Sequence, residues 1–569
     1  MFDPSRRWRG GARELAWRGP HAPEDGDYCI AEMPGEGPAR LVEVLGADDR
    51  PEWDDAAVAS QFRLRVHFPP PVVQEATAAA APVSRDRAGR LDLRDRLVFT
   101  IDPEDARDHD DALSVRELPH DRFEVGIHIA DVSHYVRPGS ALDREARRRG
   151  TSCYLPGGVV PMLPEALSAD LCSLKPDRDR LALSVIVEID HQGHRYGHRF
   201  AETVIRSRHR LHYAEVQEAL DGRAPRDEPL QSALVTLRDL ARALRRRRLA
   251  AGALDLDVPE VKAWVDAHGA PIRIERRPHL ESHELIEEFM LLANHCVGEE
   301  GARRESAVLY RVHEPPTEAR LAELDRMLRA LGLPRPGAGG DPARALQTLL
   351  AVPLDPPHRL LLHRLVLRSL ARARYHESDL GHFGLATREY CHFTSPIRRY
   401  PDLHNHRRVR DWIRSGARAG TGRAAAPRGA EAEAWDPAAL AALATECSAT
   451  EQTAADAERE AVKVKTLRFL ETRLGDRASG IITGLIPQGF FVELEDVPVE
   501  GFVRPSLYLD DTFVLDPSGV RMVGRRTRRR FSLGDAVEVT VARVDVPARE
   551  CDLALEAPRQ ATRRRRHRR

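Results

Sequence analysis

The stretch "TIDPEDARDHDDALSV", residues 100–115, puts six acidic side chains into the ten residues from Asp102 to Asp111. Neighbouring carboxylates repel one another, and burial raises their pKa further. Two arrangements relieve that strain: an open loop bathed in water, or a formed site in which cations neutralise the charge. The flanks favour the second. "LVFTI" precedes the cluster and "ALSV" follows it, so apolar, strand-like segments anchor the loop at both ends. A calcium loop of the EF-hand kind is excluded, because it needs Gly at its sixth position and a loop begun at Asp108 has Leu113 there. A strand-anchored turn carrying Asp102, Asp108, Asp110 and Asp111 suits hard divalent cations with oxygen ligands, Mg²⁺ or Mn²⁺. Two such ions can clamp the attacking and leaving oxygens of a phosphodiester.

The rest of the chain bounds this reading. At 569 residues it is too long for one core and predicts several domains. A net charge of −1 says nothing about partners, but its distribution does: arginines gather in "RRRR" (245–248), "RRTRRR" (525–530) and the terminal "RRRRHRR" (563–569). Basic patches beside an acidic pocket suit a polyanionic substrate cut at a metal site; the alternative is that such runs replace Lys under a genomic composition bias. The seven cysteines are scattered, with no C-x-x-C pair, which argues against a zinc site or disulfide framework and for a reducing compartment. The basic N-terminus lacks the apolar core of a secretory signal, and no stretch is apolar enough to span a bilayer. A cytoplasmic protein without membrane contact is expected.

Along the chain, residues 1–25 show no periodicity and are expected to be disordered. "DYCIAEM", "ARLVEVLG" and "QFRLRVHF" read as strands of a small β-module over 26–75, followed by a linker over 76–95 that includes a helix or leads from one. Residues 96–472 read as a mixed α/β domain. In it, "LVFTID" and "FEVGIHIADV" are strand-like, while "ESHELIEEFMLLANHCVGEE" and "HRLLLHRLVLRSLARARY" have helical periodicity. Residues 416–437, rich in Gly, Ala and Arg, read as a surface insertion, and a long helix is expected from 438 to 472. Five short alternating strands over 476–557 fit an OB barrel, and 558–569 form a basic tail.

The acidic stretch also resembles the signature of the RNB-type exoribonucleases, the ribonuclease II and ribonuclease R family. Further blocks resemble that family in its order: "HIADVSHYV", "RGTSCYLPGGVVPMLPEALSADLCSLKP", "GALDLDVPE", "HELIEEFMLLAN", "LYRVHEPP" and "GHFGLATREYCHFTSPIRRYPDLHNHR". The resemblance runs from about residue 26 to 557 and is nearer ribonuclease R. It implies an α/β (mixed α+β) catalytic RNB domain flanked by small all-β OB-fold modules. It also implies processive, metal-dependent 3′→5′ hydrolysis of single-stranded RNA to nucleoside 5′-monophosphates, by a protein expected to act as a monomer.

Carried over position by position, the resemblance makes Asp102, Asp108, Asp110 and Asp111 the metal ligands, with Asp110 needed purely for chemistry. His109 is read as a supporting imidazole. Arg398 in "TSPIRRY" matches the catalytic arginine, whose guanidinium would stabilise charge on the phosphate in the transition state, and Arg399 is the structural neighbour. Tyr154 matches the aromatic that stacks on the 3′-terminal base. Tyr213 and Glu287 match positions that recognise ribose, and Glu458 a carboxylate limiting affinity at the product end. The 476–557 barrel resembles the S1 RNA-binding module. There Phe490 and Phe491 offer a stacking surface, one of them expected to face the barrel core, and Arg504 stands where His is common. Family members carry two N-terminal cold-shock modules, whereas this chain has room for one shortened one. A non-catalytic RNA-binding regulator and a phosphodiesterase for small or DNA substrates are the alternatives. The first would be expected to lose the aspartates, and the second would not select RNA.

Overall fold

The computed structural model describes residues 15–16, 23–24, 26–32, 39–79, 87–336, 340–419 and 436–556. The expected disordered N-terminus (apart from Leu15–Ala16 and residues 23–24), most of the 416–437 insertion and the 558–569 tail lie outside them. Among the described residues no helix is long and apolar enough to cross a membrane.

The centre of the molecule is a six-stranded sheet in the order Asp179–Asp190, Arg122–Ala130, Asp111–Leu118, Val98–Asp102, Arg195–His212 and Leu91–Asp92. Asp179–Asp190 also pairs with Arg195–His212, so the sheet curls back on itself. Val98–Asp102 is buried throughout and Asp179–Asp190 nearly so, whereas Leu91–Asp92 is exposed and Asp111–Leu118 and Arg195–His212 are buried only in part. On one face Phe99, Ile101, Leu113, Ile127 and Val185 pack with Leu234 and Phe289 from the helices Glu228–Ala251 and Glu281–Arg303. On the other, Val98, Ala112 and Ile205 pack with Leu142, Leu163 and Leu443. Each such side chain contributes about 1.5–3 kcal/mol on burial, so the sheet edge that carries the acidic loop rests on a rigid base.

Arginine from the 245–248 run serves this scaffold. Arg248 pairs with Glu288, and Arg245 lies 2.9 Å from Asp255. That part of the run is structural rather than a free basic patch.

The long helix spans Pro437–Glu471, and its Asp436 carboxylate caps the N-terminus by accepting from Ala438 N–H. It leads into a closed five-stranded barrel of Arg477–Ile486, Gly489–Leu494, Glu500–Val503, Glu550–Leu555 and Ala536–Asp545, as the OB reading expects. A three-stranded sheet of Phe513–Leu515, Arg521–Gly524 and Arg530–Ser532 is inserted between barrel strands.

The N-terminal module departs from expectation. Leu15–Ala16, Ala39–Ala47 and Asp27–Glu32 form a three-stranded sheet, not a closed barrel, among the described residues. "QFRLRVHF" is not a strand. Gln61 ends the helix Asp54–Gln61, Arg63 takes a left-handed conformation (φ 54°), and irregular chain leads to the helix Pro70–Ala78. The alternation there has another cause. Phe62 and Leu64 pack on the catalytic core while Arg65 reaches Glu145 at 2.8 Å.

Candidate active site

Asp102 ends one central strand and Asp111 begins the next, so the acidic loop hangs from the sheet edge. The loop is pinned from several sides. Arg210 donates to the carbonyls of Glu104 (2.7 Å) and Ala106 (3.2 Å), and Lys262 Nζ donates to Asp105 (2.6 Å). Ser173 Oγ donates to the Arg107 carbonyl and accepts from His109 N–H. His109 Nδ1 lies 2.8 Å from Asp102 Oδ2, so this imidazole supports a carboxylate, as expected of it.

Asp110 is buried. Its Oδ1 accepts from Ile397 N–H at 2.9 Å, and its Oδ2 lies 4.0 Å from Arg398 Nε. Burial pushes its carboxyl well above the usual range, and Asp108 and Asp111 push the same way, against the pull of Arg398 and Ile397 N–H. Asp111 is raised too, by burial first and then by Asp102. The site therefore favours protonation of these carboxyls or a cation that neutralises them.

Among the described residues, however, no three His, Cys, Asp or Glu side chains converge into a ready-made ligand cage. Asp102 is occupied by His109, and Asp108 accepts a hydrogen bond from Tyr154. The donor set still fits Mg²⁺, which binds through one or two carboxylates and completes its shell with waters and substrate phosphate oxygens.

The two arginines of "TSPIRRY" differ in their surroundings. Arg399 is half-buried and donates to Asp402 Oδ1 at 2.7 Å. Arg398 is 43 % exposed and reaches toward the carboxylates, tethered by Ser395 Oγ at 3.2 Å. The backbone around Arg398 is stitched to the segment before Tyr154, because its carbonyl accepts from Ser152 N–H and Thr151 Oγ1.

Tyr154 sits on the short hairpin of Cys153–Leu155 and Gly158–Val160. Its ring is 38 % exposed, its hydroxyl donates to Asp108 Oδ2 (2.8 Å), and its N–H donates to Glu458 Oε1 (2.7 Å). Glu458 thus comes to the site from the long helix, with its carboxyl raised chiefly by burial. Tyr213 follows His212, the register partner of Asp102, and its phenol is raised by burial and by Asp111, Asp102 and Glu287. Glu287 is exposed and 3.0 Å from His279. Sequence reasoning did not single out His283, which stacks on Tyr213 at 4.0 Å and, with His279, extends that ring row. Nor did it find Arg210 and Lys262, because nothing local marks residues whose partners are distant in the chain.

In the barrel, Phe490 is fully buried, its ring 4.8 Å from Phe531. Its expected place on an RNA-facing surface is therefore wrong: strand alternation turns it inward. Phe491 points outward, 5.1 Å from Phe502 on the neighbouring strand, and Arg504 stands 5.7 Å from the Phe502 ring. Phe502 was missed, although its register with Phe491 was implicit in the strand pattern.

The RNB domain family matches residues 90–415 and the S1 RNA binding domain family residues 471–556. Ribonuclease R of Thermotoga maritima is 38% identical over 529 residues, covering 92% of this chain and 73% of that protein. Ribonuclease R of Aquifex aeolicus is 37% identical over 515 residues, covering 89% and 71%. Among solved structures, Mycoplasma genitalium RNase R in complex with ribose-methylated single-stranded RNA superposes with a TM-score of 0.82 at 28% identity, covering 91% of this chain and 80% of that one. Yeast Ssd1, described as a pseudonuclease, shares the fold at 19% identity, covering 87% of this chain and 61% of that one, with a TM-score of 0.68.

Proposed function

This chain belongs to the RNB family of ribonucleases, alongside ribonuclease R, and from that membership we propose how its site works. It is a 3′→5′ exoribonuclease acting on single-stranded RNA. The observation that carries the mechanism is the set of buried, mutually repelling carboxylates facing the half-exposed Arg398.

Asp102, Asp108, Asp110 and Asp111 would hold Mg²⁺, with Mn²⁺ able to substitute, and the bound ion would polarise the scissile phosphate and acidify the attacking water. Arg398 donates to the phosphate oxygens as charge builds on them. Water adds to phosphorus, the bond to the 3′-oxygen of the penultimate nucleotide breaks, and that oxygen takes a proton. The products are a nucleoside 5′-monophosphate and an RNA one nucleotide shorter. His109 keeps Asp102 oriented. The exposed ring of Tyr154 stacks on the terminal base, Tyr213 and Glu287 contact ribose, and Glu458 repels the product phosphate. Phe491, Phe502 and Arg504 offer a stacking and cationic surface that holds RNA upstream of the cut.

All four aspartates and Arg398 are present, which disfavours a non-catalytic regulator. The test is incubation of the purified chain with Mg²⁺ and 5′-labelled single-stranded RNA, beside DNA and beside chelator. The expected result is shortening from the 3′ end with release of mononucleotides, and neither DNA cleavage nor activity in chelator. RNA that is bound but left intact would establish the regulator instead.

A further inference from the structure

Among the described residues the N-terminal module forms a three-stranded sheet, and two adjacent aspartates of its Asp54–Gln61 helix make specific contacts with the catalytic domain. Asp54 is buried and accepts from both Lys465 Nζ (3.0 Å) and Arg468 (2.7 Å to Nε and to Nη2) of the long helix. Those three charged groups, packed between module and helix, dock the module in one place. Asp55, the next residue, has a different partner. Its Oδ2 accepts from Gly157 N–H at 2.7 Å, at the turn of the hairpin that carries Tyr154.

Several observations set this contact apart from an incidental one. Asp55 Oδ1 is buried with no hydrogen-bond partner, an arrangement that costs free energy; burial raises the carboxyl, against the partial pull of Lys465. A Cβ at Gly157 would stand 2.7 Å from Asp55 Oδ2, so a side chain there would displace the carboxylate. A cavity of about 710 Å³, lined by Leu45, Ala59 and Leu64 of the module and by Leu155 and Val160 of the hairpin, separates much of the two surfaces. The Asp55–Gly157 bond spans that gap at the hairpin tip. At the hairpin base Arg149 does the same, donating to the His67 carbonyl of the module (2.8 Å) and the Pro161 carbonyl (2.9 Å). Tyr154 itself is held by Glu458 and Asp108, so the hairpin is fixed along its length, with its tip held by the module.

We propose that Asp55 is a positioning residue for Tyr154: the N-terminal module, docked through Asp54, fixes the hairpin tip and so sets how far the active site can shorten its RNA. This rests on the reading of Tyr154 as the base-stacking residue. It gives the module a role at the product end of the channel, beyond gripping RNA where it enters.

The test is the limit-product ladder of the full chain on 5′-labelled single-stranded RNA with Mg²⁺. Asp55→Ala should leave longer limit products, as Tyr154→Ala should on the stacking reading, while turnover on long RNA stays within about twofold of the parent. Asp55→Asn keeps an acceptor for Gly157 N–H and should restore the parent ladder. Gly157→Ala displaces the same carboxylate from the other side and should lengthen the products even if Asp55→Ala folds poorly. Combining Asp55→Ala with Tyr154→Ala should add nothing to Tyr154→Ala alone, because both act through one group. A parent-like ladder in Asp55→Ala and Gly157→Ala, with Tyr154→Ala still lengthening products, overturns the positioning role alone. Parent-like ladders in all three overturn the stacking role as well.

Discussion

Replacing Asp110 with Asn separates chemistry from stability in a way the geometry makes quantitative. Asn keeps the size of the side chain and an oxygen to accept Ile397 N–H, now at 2.9 Å, and removes only the charge. In the metal-free protein the Asp110 carboxyl is raised by burial and by Asp108 and Asp111. A carboxyl whose folded pKa lies above its unfolded value costs stability at neutral pH, where the unfolded chain ionises freely. Asp110→Asn should therefore melt higher than the parent in chelator, by a few degrees. Adding Mg²⁺ should reverse the order, since the parent gains stability from binding and the variant has lost a ligand. Turnover should fall roughly 10²–10³-fold, the equivalent of about 2.7–4 kcal/mol of transition-state stabilisation. RNA affinity should hold or rise, because one negative charge has left the path of a polyanion. The assays are single-turnover cleavage, anisotropy of labelled RNA and melting curves with and without metal. Turnover within tenfold of the parent, or a variant less stable than the parent in chelator, would refute the reasoning.

The two adjacent arginines should fail differently. Arg398→Ala should lose turnover with its melting temperature intact, whereas Arg399→Ala strands the buried Asp402 and should lose about 3–5 kcal/mol of stability; melting curves beside cleavage rates distinguish them. In the barrel, Phe491→Ala or Phe502→Ala should weaken binding of long RNA by about 1–3 kcal/mol and spare cleavage of short substrates. Phe490→Ala empties the core and should cost about 3–5 kcal/mol of stability instead. Metal affinity should keep rising with pH above the ordinary carboxylate range of about 4, because the raised Asp110 and Asp111 must give up protons before they bind. Calorimetry in buffers of different ionisation enthalpy measures that release, and a pH-independent affinity above about pH 5 would contradict it.

Much of this protein was legible in its primary structure because the signals were local. The strands on either side of the acidic loop, the Pro437–Glu471 helix and the five barrel strands all announce themselves by periodicity and by their turn residues. The division between Arg398 and Arg399 and the support of His109 came from motif position; in the fold Arg398 approaches Asp110, Arg399 pairs with Asp402 and His109 with Asp102. Where local pattern and tertiary need diverged, the pattern misled. Residues 61–68 alternate like a strand, yet they have no strand to pair with; Phe62 and Leu64 pack inward while Val66 stays exposed. Phe490 and Phe491 are equivalent by composition, and only the pleat of a closed barrel decides which one meets water.

The residue types of the active site, then, are set by the chain itself, since metal and phosphate chemistry demands carboxylates and a guanidinium wherever they lie. What holds them in place could be read only from the folded molecule. Arg210 reaches the loop carbonyls from a parallel strand, Lys262 reaches Asp105 from a separate hairpin, and Asp55 reaches Gly157 across 102 residues. Such contacts leave no periodic trace, because a hydrogen bond constrains two points in space and places no requirement on the sequence between them.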